Sequence, residues 1–376
     1  MRPRIMTVYG TRPEAIKVAP VIKALEASDN FDSVTVVTGQ HREMLDQVNE
    51  IFEIVPDHDL DIFEHGATLA QIFARVIERL DPVLEAEQPT AVIVQGDTST
   101  STAAALAAFY RKIPVIHLEA GLRSGDISSP FPEEANRKLT TQIAALHLAP
   151  TETSKANLLV EGIEEALITV TGNTVIDALL MTVGKVIPFS DPSLEALATS
   201  GRRILLVTTH RRENWGGAME GVGRALARIA TTFPELEIVL PAHRNPIVRE
   251  AVLPHLVGLP NITVTEPLAY GEFTRMLSLS TVILTDSGGV QEEAPSLGKP
   301  VLVMRENTER PEAVDAGTVR LIGTDEDLIV SSVSELLTDN AVYDQMARAM
   351  NPYGDGSGAS RSLVAIGAMH GAGQNL

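Results

Sequence analysis

The chain has 376 residues, and its 49 aspartates and glutamates outnumber its 30 lysines and arginines to give a formal net charge of −19. Apolar residues make up 44% and charged residues 21%, ordinary proportions for a globular protein, so a disordered chain is excluded and the length favours two domains. The acidic balance argues against a nucleic-acid partner, which needs a basic face, and the lack of cysteine excludes disulfides and thiolate chemistry and fits a cytoplasmic location.

Short runs rich in β-branched residues alternate with helix-length amphipathic segments from one end of the chain to the other. The runs predict buried strands at 5–9, 34–38, 91–94, 115–118, 168–171, 204–208, 237–240, 262–265, 282–285 and 301–304. The clearest helical pattern spans 69–84, where apolar residues recur at helical spacing. No segment approaches the roughly 20 apolar residues that cross a bilayer, so no membrane partner is expected.

The alternation predicts parallel βαβ units with helices on both faces of each sheet. Two sets of five strands therefore predict an α/β fold with two doubly wound, Rossmann-like domains. The boundary is placed at 188–201, because the prolines, glycine, serines and threonines of this segment are typical of a linker.

Ligands of open α/β sheets bind beyond the carboxyl ends of the strands, so the segments that follow the predicted strands are the first place to look for a site. These segments are rich in His, Arg, Asp and Glu. They are GTRPE (10–14), GQHRE (39–43), QGDTSTS (95–101), EAGLRSGD (119–126), THRREN (209–214), AHRNP (242–246) and TDSGG (285–289).

Neither a dinucleotide-binding glycine fingerprint nor a Walker loop occurs in the chain. The segment 286–289, Asp-Ser-Gly-Gly, follows a strand and opens an apparent helix over 290–297. It is either an anion cradle of free amides, two glycines and a hydroxyl, or a tight strand–helix turn. Arg12 and Lys17 flank the first strand–helix turn, where they either face the same ligand or lie solvated at the start of a helix.

Carboxylates are also concentrated at the strand ends. Asp97, just after a strand, is either a helix N-cap or part of the chemistry. Glu119 ends the apolar run VIHL, where a charge needs a partner. Glu133 and Glu134 open a predicted helix, where acids often serve only the helix dipole, worth about 0.3–1 kcal/mol.

His210 is followed by two arginines and Glu213. The group is either an electropositive clamp or a His–x–x–Glu metal pair. We expect no metal, because the sequence offers no second histidine nearby to complete the ligand set of a zinc site.

Longer motifs lie in the same segments. The first half contains GTRPEAIK (10–17), QHREMLDQV (40–48), GDT (96–98), EAGLRSGD (119–126), PEEANR (132–137), APTETS (149–154) and GNTVIDAL (172–179). The second half contains HRREN (210–214), LTDSGGVQEEAPSLGKPVLVMRENTERPEAVDAGT (284–318) and NPYGDG (351–356). In these motifs the chain resembles the non-hydrolysing UDP-N-acetylglucosamine 2-epimerases of bacteria over nearly its whole length, and the block at 284–318 is highly specific.

The resemblance implies two Rossmann-like domains of the GT-B type facing a cleft, and a homodimer. The domains would be 1–187, with a C-terminal helix at about 355–376 packing back on it, and a UDP-binding domain at 201–350. The implied activity interconverts UDP-N-acetylglucosamine and UDP-N-acetylmannosamine without a cofactor, in supply of cell-envelope polysaccharide.

The resemblance also implies roles for particular residues. The nucleotide contacts are Arg12, Lys17, Phe273, Ser287, Gly288, Gly289, Glu293 and Arg310. The catalytic group is Asp97, Glu119, Glu133 and His210. A regulatory site for a second UDP-sugar corresponds to Gln40, His41, Arg211, Arg212 and His243.

The residues suit this reaction on chemical grounds. Carbon 2 of the sugar is not acidified by a carbonyl, and the chain lacks a nicotinamide fingerprint, so expulsion of UDP with loss of the carbon 2 proton is the remaining route. Cations at 12, 210 and 310 and amides at 287–289 stabilise the departing diphosphate. Carboxylates on both sides of carbon 2 take and give the proton, and either could be acid or base.

Three alternatives differ from this hypothesis in what they do with the sugar. A GT-B glycosyltransferase needs an acceptor, a hydrolysing epimerase releases free N-acetylmannosamine, and a sensor binds a UDP-sugar without isomerising it. The many carboxylates argue against the sensor, because like charges facing a diphosphate weaken binding.

Overall fold

The structure is a computed structural model that describes residues 2–39, 42–209 and 217–373. Its internal contacts divide the chain into two units. The first consists of Met1–Met181 and Tyr353–Leu376, and the second of Thr182–Pro352.

The first unit is built on a parallel sheet that has seven strands within the described residues. These are β1 (Arg4–Tyr9), β2 (Asp32–Val37), β3 (His58–Asp59), β4 (Ala91–Gln95), β5 (Val115–Leu118), β6 (Leu146–Ala149) and β7 (Ile168–Val170). Their spatial order is β3-β2-β1-β4-β5-β6-β7. The order reverses between β1 and β4, as in Rossmann folds, and this reversal is the point at which such sheets bind ligands.

Helices cover both faces of this sheet. They are α1 (Arg12–Glu26), α2 (Arg42–Phe52), α3 (Leu69–Glu87), α4 (Ser99–Tyr110), α5 (Glu133–Ile143), α6 (Glu152–Val160) and α7 (Thr174–Val183). The central strands β1, β4 and β5 are buried almost completely, which explains their continuous apolar runs. The helix predicted from the apolar spacing of 69–84 is confirmed as α3.

The second unit repeats the arrangement with a parallel sheet of six strands within the described part of the chain. The strands are β8 (Arg203–Thr208), β9 (Leu236–Pro241), β10 (Ile262–Thr265), β11 (Val282–Thr285), β12 (Val301–Val303) and β13 (Val319–Leu321). Their order, β10-β9-β8-β11-β12-β13, places the reversal between β8 and β11.

Helices surround the second sheet as well. They are α8 (Pro192–Ala198), α9 (Gly217–Thr232), α10 (Pro246–Val252), α11 (Tyr270–Leu279), α12 (Gly288–Glu293), α13 (Pro311–Asp315), α14 (Glu326–Thr338) and α15 (Asn340–Ala347). The predicted α/β class with two Rossmann-like sheets is therefore confirmed. Within the ranges that the structure describes, no helix has the length and apolar character that a bilayer crossing requires.

The prediction of five strands per sheet was wrong by three strands. The missed strands are β3, β6 and β13, which have two, four and three residues. β3 consists of His58 and Asp59 and has no apolar residue, while His147 and Arg320 interrupt the short apolar runs of β6 and β13 on which strand prediction depends. β3 and β13 are also edge strands, where one side of the ladder is open.

The segment 188–201 is not a plain linker, because it contains α8. Asp191 caps this helix by accepting a hydrogen bond from a backbone amide, and Leu194 is fully buried. The Glu195 carboxylate pairs with the Arg275 guanidinium at 2.7 Å. Turn-forming residues predicted a loop here, but a cap and an apolar contact produce a helix within the second unit.

The last helix, α16 (Gly358–Gly373), belongs to the first unit and packs against α1. The Asp177 carboxylate accepts hydrogen bonds from the backbone amides of Gly358, at 3.1 Å, and Ala359, at 2.9 Å. Asp177 therefore supplies the acceptor that the start of α16 needs, although it lies far away in the sequence.

Candidate active site

The site begins at the strand-order reversal of the first sheet, where the loops after β1 and β4 meet. The Glu14 carboxylate accepts hydrogen bonds from the amides of Gly10 (2.9 Å) and Thr11 (2.7 Å) after β1 and from the hydroxyl of Thr98 (2.6 Å) after β4. Glu14 is buried, and burial raises its pKa. Its contacts fix the two loops against each other.

Glu119 lies directly after β5 and is 9% exposed. Its Oε1 atom accepts a hydrogen bond from Asn173 Nδ2 (2.9 Å) and forms an ion pair with Lys17 Nζ, while Oε2 accepts one from Gln95 Nε2 (2.5 Å). A cation and two amides therefore surround the carboxylate. These donors favour its charged form and offset the cost of burying a carboxylate. They are the partners that the charge at the end of the apolar run VIHL was expected to need.

The backbone of Glu119 has a φ of +63°, in the left-handed region that non-glycine residues seldom adopt. Such a conformation costs of order 1–3 kcal/mol and occurs preferentially at functional sites. The conformation brings Glu119 Oε2 to 3.4 Å from the position that a Cβ on Gly96 would occupy. The Glu119 carboxylate thus lies against the turn that carries Asp97.

Asp97 is held by an arginine on α5. Arg137 donates to Asp97 Oδ2 at 2.5 Å and to Glu134 Oε2 at 3.0 Å, and Glu134 also accepts from the amide of Ser124 at 3.0 Å. The Asp97 carbonyl accepts from the side chain of Asn136 at 2.9 Å. Asp97 and Glu119, which follow neighbouring strands, are therefore both fixed by cationic partners.

The alternative that Asp97 caps α4 is wrong, because Thr98 is the N-cap and its hydroxyl accepts from the Ser101 amide at 3.0 Å. The two acids that open α5 differ from each other. Glu134 is fully buried and orients Arg137, whereas Glu133 is half-buried and receives no hydrogen bond from the residues described.

In the second sheet, the hydroxyls of Thr208 on β8 and Thr285 on β11 lie 2.5 Å apart at the reversal of strand order. Thr285 also accepts from the Ser287 amide at 3.0 Å. Among the described residues, the Ser287 hydroxyl does not cap α12, and Gly289 is exposed. The helix expected over 290–297 is divided into α12 and a 3-10 turn, Ala294–Leu297.

Side-chain contacts join Ser287 to the loop that carries Arg310. Gln291 donates to the Ser287 carbonyl at 3.1 Å and accepts from the Thr308 hydroxyl at 2.7 Å. Thr308 in turn accepts from the Arg310 amide at 3.1 Å, and the Arg310 guanidinium pairs with Glu292. The structure thus brings the predicted nucleotide contacts at 287 and 310 into one hydrogen-bonded group.

Two further predicted contacts belong to this unit. Glu293 at the end of α12 is buried, and Phe273 on α11 is half-buried. Burial, and then the charge of Glu293, raise the pKa of Tyr270, so Tyr270 lies near Glu293.

The remaining predicted site residues have few described contacts or lie outside the described part of the chain. Arg12 is exposed at the start of α1, and His243 is half-buried and accepts from the Asn245 amide at 3.2 Å. The described ranges hold no cluster of three or more metal-ligating His, Cys, Asp or Glu side chains. Five predicted residues lie outside the described residues, namely Gln40, His41, His210, Arg211 and Arg212.

Sequence reasoning missed Glu14, which joins the loops after β1 and β4, and three residues that contact the acids, namely Gln95, Arg137 and Asn173. Glu14 was detectable, because Thr11-x-x-Glu14 is the signature of a capping box. The other three carry no local signal, since strands or helices distant in sequence bring them to the acids.

Parallel sheets in Rossmann order, with two ion-paired acids at neighbouring strand ends, define an α/β enzyme of the Rossmann-like class. A family model described as UDP-N-acetylglucosamine 2-epimerase matches residues 23–367. The chain is 53% identical over 370 residues to the UDP-N-acetylglucosamine 2-epimerase of Yersinia pestis, covering 96% of this chain and 98% of that one.

Solved structures of similar proteins agree with this family match. The crystal structure of UDP-GlcNAc 2-epimerase from Neisseria meningitidis bound to UDP-GlcNAc is 45% identical, with a TM-score of 0.84, and the match covers 97% of this chain and 100% of that one. A glycotransferase of kitacinnamycin, with 13% identity, a TM-score of 0.67 and coverage of 98% and 99%, shares the fold alone. The chain belongs to the UDP-N-acetylglucosamine 2-epimerase family, and the resemblance in its motifs is confirmed.

Proposed function

We propose that the chain interconverts UDP-N-acetylglucosamine and UDP-N-acetylmannosamine by eliminating and re-adding UDP through a 2-acetamidoglucal. The observation that carries the proposal is the placement of Asp97 and Glu119. Both acids follow adjacent strands beside the strand-order reversal, where α/β sheets bind ligands, and each is paired with a cation. The Neisseria relative, bound to UDP-GlcNAc, supports the choice of substrate.

The reaction proceeds in two halves. One carboxylate takes the proton from carbon 2, the carbon 1–oxygen bond breaks, and its electron pair leaves with UDP, so that a carbon 1–carbon 2 double bond forms. UDP then re-adds to carbon 1 while an acid delivers a proton to carbon 2 from the opposite face. No electrons are exchanged with a cofactor in either half, and positioned acid–base groups contribute roughly 10²–10⁴-fold each.

In this proposal, two groups of residues have different tasks. Asp97, Glu119 and the half-buried Glu133 belong to the first unit and serve the sugar. Arg310 and the segment 287–289 belong to the second and serve the diphosphate, where donors stabilise the leaving charge. The enclosing cleft, the homodimer, the regulatory site and the supply of envelope polysaccharide stay predictions of the resemblance, and the cytoplasmic location stays a prediction of the cysteine-free composition.

The test uses purified protein, UDP-N-acetylglucosamine and heavy water, with no acceptor present. We expect UDP-N-acetylmannosamine carrying deuterium at carbon 2, together with traces of free UDP and 2-acetamidoglucal. Complete retention of the original hydrogen at carbon 2 would contradict the elimination route. Turnover only with an added acceptor would indicate a glycosyltransferase, and release of free N-acetylmannosamine would indicate a hydrolysing enzyme.

A further inference from the structure

His117 lies in β5, two residues before Glu119, and is fully buried. Its Nε2 atom is 2.8 Å from the carbonyl oxygen of Gly96. A carbonyl only accepts hydrogen bonds, so Nε2 carries the proton and the ring is fixed in one tautomer. The other ring nitrogen, Nδ1, has no hydrogen-bond partner among the described residues, and the imidazole takes no part in the chemistry proposed above.

The Gly96 carbonyl needs this donor because the strand ladder ends one residue earlier. The last pair in register is Gln95 beside Leu118, and the next amide in line, that of Ala120, donates to Leu148 in β6 instead. The Gly96 amide donates to the Leu118 carbonyl at 2.9 Å. β5 therefore holds Gly96 at both its amide and its carbonyl, and the His117 side chain supplies the second contact.

Gly96 directly precedes Asp97 and lies next to the Glu119 carboxylate. The backbone of Gly96 has a φ of +66°, which turns the chain sharply just before Asp97. Glu119 Oε2 lies 3.4 Å from the position that a Cβ on Gly96 would occupy. A small rotation of this turn would move Asp97 relative to Glu119. Misplacement of about 1 Å can cost 10²-fold in rate.

We propose that His117 is a positioning residue for the epimerisation, which holds the Gly96 carbonyl so that Asp97 and Glu119 keep a fixed separation. The inference rests on the proposed function, because it assumes that these two carboxylates act on carbon 2. Burial lowers the pKa of His117 to about 4, which keeps the ring neutral at physiological pH and is consistent with a positioning role rather than proton transfer.

The chain offers a matched control in the next strand. His147 in β6 is the register neighbour of His117 and is equally buried, but neither of its ring nitrogens has a hydrogen-bond partner among the described residues. Replacement of His147 by leucine therefore removes a buried imidazole from the same layer without removing a contact to Gly96. Any effect shared by the two positions reflects packing, and an effect confined to position 117 reflects the hydrogen bond.

The experiment compares H117L, H117Q, H117N and H147L. Glutamine places an amide donor at about the reach of Nε2, whereas the asparagine amide is too short. Each variant is assayed for kcat, for KM, and for the fraction of turnovers that release free UDP and 2-acetamidoglucal. This fraction does not depend on how much of the protein is folded, so a merely structural defect leaves it unchanged.

We expect H117L and H117N to lower kcat by about tenfold or more, with KM within about threefold, and to raise the released fraction. H117Q should recover most of kcat, and H147L should match the wild type. If H117L does not fold, the comparison of H117Q with H117N still decides. Any of three results would overturn the inference: equal kcat in H117Q and H117N, a released fraction in H117L and H117N that equals that of the wild type, or equal losses of kcat in H147L and H117L. Failure of the wild type to exchange carbon 2 hydrogen would instead overturn the proposed function.

Discussion

Lys17 on α1 and Glu119 after β5 are 102 residues apart and form an ion pair whose side chains are only 19% and 6% exposed. The Thr174 hydroxyl donates to the Lys17 carbonyl at 2.6 Å and holds the backbone at this point. The resemblance assigns Lys17 to the nucleotide, but the structure places its ammonium on a carboxylate of the proposed chemistry. Its charge therefore serves Glu119 in the described structure.

Removing this ammonium should impair turnover more than nucleotide binding. In K17M, Glu119 keeps two amide donors but loses the ammonium partner that favours its charged form. We expect kcat/KM to fall by about 100-fold or more, while the Kd for UDP changes by less than about tenfold. Steady-state kinetics and calorimetry provide the two measurements.

The matched control is K23M on the same helix, because Lys23 pairs with Glu26 at the surface and such pairs contribute little. K23M should retain wild-type kinetics. A large loss of UDP affinity in K17M, in proportion to its loss of turnover, would assign Lys17 to the nucleotide instead.

Neutralising the acids should separate catalysis from binding. D97N and E119Q keep the size of each side chain but remove the charge that takes or gives the carbon 2 proton. We expect each to lower kcat by roughly 10²–10⁴-fold while UDP affinity falls much less, because other groups hold the diphosphate. The control is D81N, which alters a surface Asp–Arg pair with Arg111 and should leave kcat unchanged. Near-normal turnover in both D97N and E119Q would place the chemistry elsewhere.

Much of this fold was predictable because parallel strands buried on both faces must be apolar throughout. The bounds of β5, β10 and β11 agree with the predicted strands to the residue. In β6 and β13 the polar residue, His147 or Arg320, is already the second of the strand, so that signal is lost, whereas in β5 the adjacent Val115 and Ile116 precede His117 and preserve it. The formation of β6 and β13 depends on neighbouring strands that are already in place, which is a tertiary effect.

The acids were predictable, but their partners were not. Glu119 stands out because a charge at the end of an apolar run needs a partner, whereas Asp97 after its strand was open to either a helix N-cap or a chemical role. Arg137 lies 40 residues after Asp97, and Asn173 lies 54 residues after Glu119. Residues so far apart in the sequence come into contact only through the order of the strands in the sheet. The residues that orient the acids can therefore be identified only from the structure.

Glu14 should contribute more to stability than the equivalent residue of a second capping box. Glu14 in α1 and Gln71 in α3 occupy the same position in their boxes, but Gln71 is exposed. E14A leaves the amides of Gly10 and Thr11 and the hydroxyl of Thr98 without their acceptor, at about 1–3 kcal/mol for each buried group. We expect E14A to lower the free energy of unfolding by at least about 2 kcal/mol and Q71A by about 1 kcal/mol or less. Equal losses in urea unfolding would contradict the proposed network.

Two glycines in the loop after β5 should differ sharply in their tolerance of alanine. Both have a positive φ, +90° at Gly121 and +83° at Gly125. A Cβ at Gly121 would lie 2.2 Å from the Ser154 carbonyl oxygen, whereas a Cβ at Gly125 would meet nothing within 4 Å. G125A should cost about 1–2 kcal/mol, the cost of the conformation alone, and G121A clearly more, because backbone must move. Thermal unfolding of the two variants measures the difference, and similar values would exclude the close approach.

His147 should make the stability of the first unit fall in mild acid. Burial, and then the nearby His117 and Arg123, lower the pKa of His147 to about 4, against about 6.5 in the unfolded chain. Between these two values the unfolded chain binds more protons than the folded one, so the free energy of unfolding decreases as pH falls through this window. Above pH 7 both states are neutral at this position, and the contribution is constant.

H147L removes this titration and leaves His117 in place. The free energy of unfolding of H147L should therefore rise relative to that of the wild type as pH falls from about 6.5 towards 4, by up to about 1.4 kcal/mol per pH unit. Urea unfolding of both proteins at pH 7.5, about 6 and about 5 gives the difference directly, because the two lower pH values lie between the folded-state and unfolded-state pKa values of His147. Subtraction of the two profiles cancels groups common to both, including Glu14 and Asp177, whose pKa values burial raises. Parallel profiles for the two proteins would show that His147 is protonated as readily in the folded chain as in the unfolded one. A free energy of unfolding of H147L that falls relative to that of the wild type as the pH falls would show that the pKa of His147 is raised rather than lowered.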